Sequence, residues 1–214
     1  MTTRRDFLQL GIVSALGVTL PSSAVAMVTD AARRRSSAPR GFLDLLRSPD
    51  VVSVDTTGGV QRLTASAGGQ WRGASGLVVA TRETPGALRV ELTSPGVGVR
   101  RLHLRWRGRM DAARLLLGDA WERGYGDLEW RGIAPDRAMP WYVATWDGAL
   151  THAYGVRTGA QAMCFWQVDP GGITLFADVR SGAAPLQLGD RVLPVCDVVC
   201  RAGHPRESPR GWRR

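Results

Sequence analysis

Lysine is absent from this chain: all 28 basic residues are arginine, so no motif built on a lysine is open to it. Cysteine is nearly absent as well. Cys164, Cys196 and Cys200 are three, an odd number and too few for a disulfide scaffold. On a strand, Cys196 and Cys200 would stand ~13 Å apart on one face, too far to bridge. A Cys164–Cys196 bond stays open beside the expectation of buried free thiols. No second Cys-x-x-Cys or histidine pair accompanies Cys196, Cys200 and His204, so neither metal nor cofactor is expected. There is no Gly-x-Ser-x-Gly elbow, no Gly-x-Gly-x-x-Gly opening a helix and no phosphate-cradling loop. Gly96-Val97-Gly98 reads as a strand entrance. Long hydrophobic runs are missing too. Leu8–Leu20 would reach only ~20 Å as a helix, short of a ~30 Å hydrocarbon core.

What is present begins with charge. The formal net charge is +9, which invites a nucleic-acid reading. Residues 1–26, 27–40 and 201–214 carry +1, +3 and +4, whereas residues 41–200 hold 17 Arg against 16 acids. Recognition of nucleic acid needs a basic face on the folded part, so no such partner is expected.

Residues 1–26 read as an export signal. Thr3-Arg4-Arg5-Asp6-Phe7-Leu8-Gln9 has the form of a twin-arginine translocation signal. The apolar run follows, then Ala24-Val25-Ala26, where a signal peptidase would cut after Ala26. The expected product starts at Met27, is periplasmic or extracellular, and keeps no stable membrane insertion. Residues 27–49 read as a linker with a short helix over Gly41–Arg47, ended by Pro49.

From Val51 the pattern is β. Leu88, Val90 and Leu92 alternate with Arg89 and Glu91; Leu102, Leu104 and Trp106 with His103, Arg105 and Arg107; Ile173, Leu175 and Ala177 with Thr174, Phe176 and Asp178. Turn signals punctuate these runs at Gly58-Gly59, Gly68-Gly69, Pro85-Gly86, Asp147-Gly148, Thr158-Gly159, Pro170-Gly171-Gly172, Ser181-Gly182 and Gly189-Asp190. After residue 139 their spacing is that of a β-meander in a sandwich or barrel. Residues 50–200 are therefore expected to form an all-β domain, an antiparallel, supersandwich-like β-sandwich, with 201–214 an irregular tail. A β/α barrel of ~250 residues does not fit in the chain.

The most informative stretch is Leu117-Gly118-Asp119-Ala120-Trp121-Glu122-Arg123-Gly124-Tyr125-Gly126-Asp127-Leu128-Glu129-Trp130. Two readings of it compete: aromatics filling an inter-sheet core, or rings stacking on sugars beside carboxylates that accept hydroxyl protons. Composition favours the core. Clustered Asp119, Glu122, Asp127 and Glu129 could supply paired carboxylates, but beside this much arginine they read as ion-paired structure.

This stretch resembles a motif in the N-terminal β-sandwich of melibiase-like (raffinose-type) α-galactosidases. The resemblance runs on through Pro140-Trp141-Tyr142, His152-Ala153-Tyr154-Gly155-Val156, Cys164-Phe165-Trp166-Gln167-Val168-Asp169 and Val198-Val199-Cys200-Arg201. It covers roughly residues 75–209. It implies a non-catalytic domain of an exported glycoside hydrolase, whose two catalytic aspartates would lie in a barrel downstream. The family's nucleophile sits in a Lys-x-Asp context, which a chain without lysine cannot contain. No catalytic residue is thus expected, and the chain is expected to be inactive as it stands. Where the family runs into its barrel, this chain reads Arg210-Gly211-Trp212-Arg213-Arg214, the expectation for a truncated or frame-shifted reading frame. The candidate carbohydrate-binding residues are Asp119, Trp121, Glu122, Tyr125, Asp127 and Trp130. The expected partners are an α-galactoside-like carbohydrate and either the barrel or a second copy of the chain. The alternative is a free-standing secreted carbohydrate-binding sandwich.

Overall fold

The computed structural model describes residues 43–110, 113, 115–118 and 130–203. The expected signal, with Arg4, Arg5 and Ala26, and the tail beyond 203 lie outside the described residues.

Period-two patterning gives strands throughout. They are β1 (Val51–Thr56), β2 (Gly59–Arg62), β3 (Thr64–Ser66), β4 (Gln70–Arg72), β5 (Val78–Thr84), β6 (Ala87–Ser94), β7 (Val99–Arg107), β8 (Leu115–Gly118), β9 (Met139–Pro140), β10 (Tyr142–Trp146), β11 (Thr151–Val156), β12 (Met163–Asp169), β13 (Gly172–Asp178) and β14 (Gly189–Gly203). Two antiparallel sheets result, sheet A in the order β2-β1-β7-β13-β12-β9 and sheet B in the order β3-β4-β5-β6-β14-β11-β10-β8. The chain is an antiparallel β-sandwich.

The alternation seen in sequence sorts the faces. Leu88, Val90 and Leu92 of sheet B, and Leu102, Leu104, Trp106, Ile173, Leu175 and Ala177 of sheet A, are buried in one core. The intervening residues turn outward, where the neutral charge balance becomes a set of ion pairs. On sheet A, Arg105 holds Asp169 at 2.7 Å, Arg101 holds Asp178 at 3.1 Å and Arg180 holds the same carboxylate at 2.7 Å. On sheet B, Arg89 holds Asp197 at 3.0 Å. Arg105 beside Asp169, and Arg89 beside Asp197, keep those carboxyls below the usual range. Between the sheet A pairs lies a row of rings on cross-strand partners. His103 meets Phe176 at 4.8 Å between centroids, and Phe176 stacks on Phe165 at 4.8 Å. The Arg101 guanidinium lies 5.3 Å from the Phe165 centroid.

Two local expectations are corrected. After residue 139 the strands do not form a meander: the β10–β11 hairpin belongs to sheet B, the β12–β13 hairpin to sheet A, and β14 returns to sheet B. Hairpin spacing is the same whether the next hairpin continues a sheet or crosses the core, so it could not distinguish the two. The turn at Gly189-Asp190 is formed at the very start of β14: Gly189 has φ 57°, the Arg191 N–H donates to the Leu188 carbonyl at 3.3 Å, and the register to β6 jumps between Gly189 and Val192, a bulge. No helix forms in the described part of 41–47, which runs as an irregular strap.

The strap closes one end of the sandwich by contacts to both sheets. The Leu43 N–H donates to the Tyr154 hydroxyl of β11 at 3.2 Å, and the Trp106 indole N–H of β7 donates to the Arg47 carbonyl at 2.9 Å. Ser48 shares a hydrogen bond with Thr81 of β5. Asp50 accepts the Arg107 N–H at 2.6 Å and pairs with Arg47 at 2.7 Å. Leu45 is fully buried in the core between them. These long-range partners replace the i→i−4 ladder a helix would need.

Candidate functional site

Of the expected sugar-contacting stretch, Leu117 and Gly118, in β8 at the edge of sheet B, and Trp130 are described. β8 pairs with β10, setting Gly118 opposite Val143 and Leu116 opposite Thr145. On its other side, Leu116 and Arg131 exchange backbone hydrogen bonds of 2.6 and 2.8 Å. Leu116 and Arg131, just outside the two ends of that stretch, are thereby paired. Gly118 is needed there, because a Cβ would press into the Met139 side chain. The Gly118 carbonyl also accepts from Arg137 at 3.4 Å.

Of the candidates, Asp119, Trp121, Glu122, Tyr125 and Asp127 lie outside the described residues. Trp130 is described, immediately before the Arg131 pairing, and is 41% exposed. On the other flank of β8, at the entrance to β10, stands Trp141, 38% exposed. Trp141 belonged to the resembling region but was not among the candidates. By contrast, Trp71, Trp106 and Trp166 are core residues. Among the described tryptophans, Trp71, Trp106 and Trp166 fill the core, Trp146 is half-buried, and Trp130 and Trp141 are exposed on the flanks of β8.

Trp141 carries a backbone φ of 62°, a region tryptophan rarely enters. It marks the step from β9 in sheet A to β10 in sheet B. Its N–H donates to the Cys164 carbonyl at 3.0 Å, and its carbonyl accepts from the Val156 N–H at 3.1 Å and the Trp166 indole N–H at 3.1 Å. Three bonds from both sheets hold the backbone in this shape. No sequence signal foretold it, since tryptophan has no left-handed preference.

A second polar feature lies in the β10–β11 hairpin. The Asp147 carboxylate accepts the Ala149 and Leu150 N–H groups at 2.8 Å each and meets His152 Nε2 at 2.9 Å. Burial opposes ionisation of Asp147. The bonds from Leu150, His152 and Ala149 outweigh it and hold the carboxyl at about 2. His152 is 1% exposed. The pair is a turn clamp, because no substrate atom can reach that imidazole. Its signal was visible in the sequence as an Asp-Gly turn five residues before a histidine.

Among the described residues no group of three or more His, Cys, Asp or Glu converges as a metal site would require. No helix among them is long and apolar enough to cross a membrane. No family model matches the chain, and no curated protein matches it.

Proposed function

We propose that this sandwich is a non-catalytic carbohydrate-recognition domain, of the kind that precedes the barrel in the α-galactosidase-like glycoside hydrolases it resembles, exported by the twin-arginine route. The observation that carries the reading is the exposure of Trp130 and Trp141 on the two flanks of β8. Ring faces there would stack on the C–H face of a pyranose, while Asp119, Glu122 and Asp127 would accept its hydroxyl protons, with Trp121 and Tyr125 adding apolar surface. The test is tryptophan fluorescence of the full chain titrated with galactose, melibiose or raffinose. A saturable change at millimolar sugar, removed by Trp130→Ala or Trp141→Ala, is the expected result; a flat response refutes the reading. No nitrophenol should be released from a nitrophenyl α-galactoside. Release abolished by Asp119→Asn would show the domain to be catalytic after all.

One observation favours the free-standing form over a domain that needs a barrel. The described outer face of sheet A carries its own ion pairs and ring row. A monodisperse monomer in size-exclusion chromatography supports it. Aggregation relieved by a co-expressed barrel supports the other.

A further inference from the structure

The chain leaves β11 of sheet B at Val156 and crosses to β12 of sheet A through residues 157–162. This crossover is an arch tied to β14 at both ends: the Arg157 N–H donates to the Asp197 carbonyl and the Gln161 N–H to the Val195 carbonyl, each at 2.9 Å. Gly159, at φ 90°, turns the chain between the two ties, and the Gln161 amide donates to its carbonyl at 3.4 Å. Arch and strand, with Arg89 of β6, line a cleft of about 140 Å³. That is well below the ~300 Å³ at which pockets for drug-sized ligands begin, so the cleft suits a small molecule or a single functional group. Its charges do not cancel. Arg89 directs Nε and Nη2 to the Asp197 carboxylate at 3.0 and 3.2 Å, and holds that carboxyl below the usual range, so it is ionised at neutral pH. Arg157 is exposed and forms no salt bridge among the described residues; its guanidinium donates to the Pro85 carbonyl at 3.4 Å, a long bond. The cleft therefore carries two cations and one anion, and Arg157 is the cation without a carboxylate of its own. Further donors stand on the same arch. The N–H groups of Thr158, Gly159 and Ala160 have no protein acceptor among the described residues.

We propose that this cleft is a binding site for a small monocarboxylate, with Arg157 taking the carboxylate and Asp197 limiting the site to one negative charge. A guanidinium presents its donors as a planar fork that matches the two oxygens of a carboxylate. One such group neutralises the cleft, whereas a dianion such as phosphate would leave excess negative charge beside the Asp197 carboxylate. Because the arch is tied down before any ligand arrives, little ordering of the backbone opposes binding. A free small acid and the uronic acid of an acidic sugar offer the same chemistry; acetate and galacturonate tell them apart. The residues of this cleft lie on β6, β14 and the crossover, so the inference does not rest on sugar stacking at the β8 edge.

The test is backbone-amide NMR of the full chain titrated with acetate, galacturonate, galactose and inorganic phosphate at constant ionic strength. Expected are saturable shifts of the Thr158, Gly159 and Ala160 amides at millimolar carboxylate, and none there with galactose. Acetate and galacturonate acting alike mark a site for the carboxylate alone; galacturonate acting without acetate marks an acidic sugar, and either result supports the site. Arg157→Gln, at an exposed position that should not disturb folding, should weaken binding about tenfold or more. Asp197→Asn removes the anion and leaves both guanidiniums, so it should tighten carboxylate binding and admit phosphate. A merely structural role for Asp197 predicts the opposite, a loss of binding. Trp141→Ala should leave these shifts unchanged, which separates this site from the β8 edge. Four results would each overturn the proposal: no shift at the arch with either carboxylate at tens of millimolar, equal affinity in Arg157→Gln, weaker binding in folded Asp197→Asn, or phosphate bound more tightly than carboxylate by the unaltered chain.

Discussion

Asp147 shows how much one carboxylate can organise: it caps two backbone N–H groups of a hairpin and orients a buried imidazole. Its carboxyl is lowered from 3.8 to about 2. Its contribution is therefore complete above about 4 and lost as pH falls toward 2, a difference of about 2 kcal/mol. Asp147→Asn should lower stability at pH 7 by about that much and flatten the acid dependence between pH 4 and 2, read as thermal unfolding by circular dichroism. His103 works in the opposite sense. Burial and the neighbouring Arg101 lower its pKa against a partial opposing effect of Asp55, so folding disfavours the imidazolium. Stability should decline as pH drops below the unfolded value of about 6.5. His103→Phe, which extends the ring row without a titratable nitrogen, should shrink the difference in melting temperature between pH 7.5 and 5.5. At Trp141 the left-handed backbone costs about 1 kcal/mol for a residue with a Cβ. Trp141→Gly should therefore leave stability nearly unchanged while removing any sugar-dependent fluorescence change. A large loss of stability would show that the exposed ring is structural.

At the level of elements, the turns were the most legible feature and the strap the least. Pro85-Gly86 and Pro170-Gly171 are two-residue connections between paired Thr84 and Ala87, and between Asp169 and Gly172. Their chemistry is local, so it can be read without the fold. Gly172 adds a demand the sequence does not show: at φ 147° it lies against the Trp106 carbonyl of β7, where a Cβ would collide. Gly172→Ala should cost about 3 kcal/mol, whereas Gly182→Ala, with positive φ but open space, should cost about 1 kcal/mol. Chemical denaturation separates the two. The strap was misread because Phe42-Leu43-Asp44-Leu45-Leu46 has the composition of an amphipathic helical turn. Its Leu43 N–H and Arg47 carbonyl go instead to Tyr154 and Trp106, far along the chain, while the Leu46 N–H turns back to the Asp44 carboxylate. Leu45→Ala should destabilise the whole sandwich by about 3 kcal/mol, since Leu45 is fully enclosed in the core between the sheets.

At the level of the molecule, the positive charge does not define a face. The body pairs its arginines across strands with aspartates: Arg101–Asp178 and Arg89–Asp197 bridge neighbouring strands, and Arg105–Asp169 reaches from β7 past β13 to β12. Such half-exposed pairs contribute little stability each and mainly keep the sheet faces soluble. The surface that remains distinctive is the β8 edge with Trp130 and Trp141, and it coincides with the end of the most unusual stretch in the sequence.

The sequence by itself determined which face of each long strand is buried, where most of the chain reverses, and that the domain is all-β. Period-two alternation and Gly/Pro turn chemistry are local codes, complete within a few residues. Only the tertiary structure decided which hairpin joins which sheet, and which of the described tryptophans fill the core and which are exposed. Those outcomes depend on pairing between residues far apart in the chain, and identical local patterns are compatible with more than one such pairing.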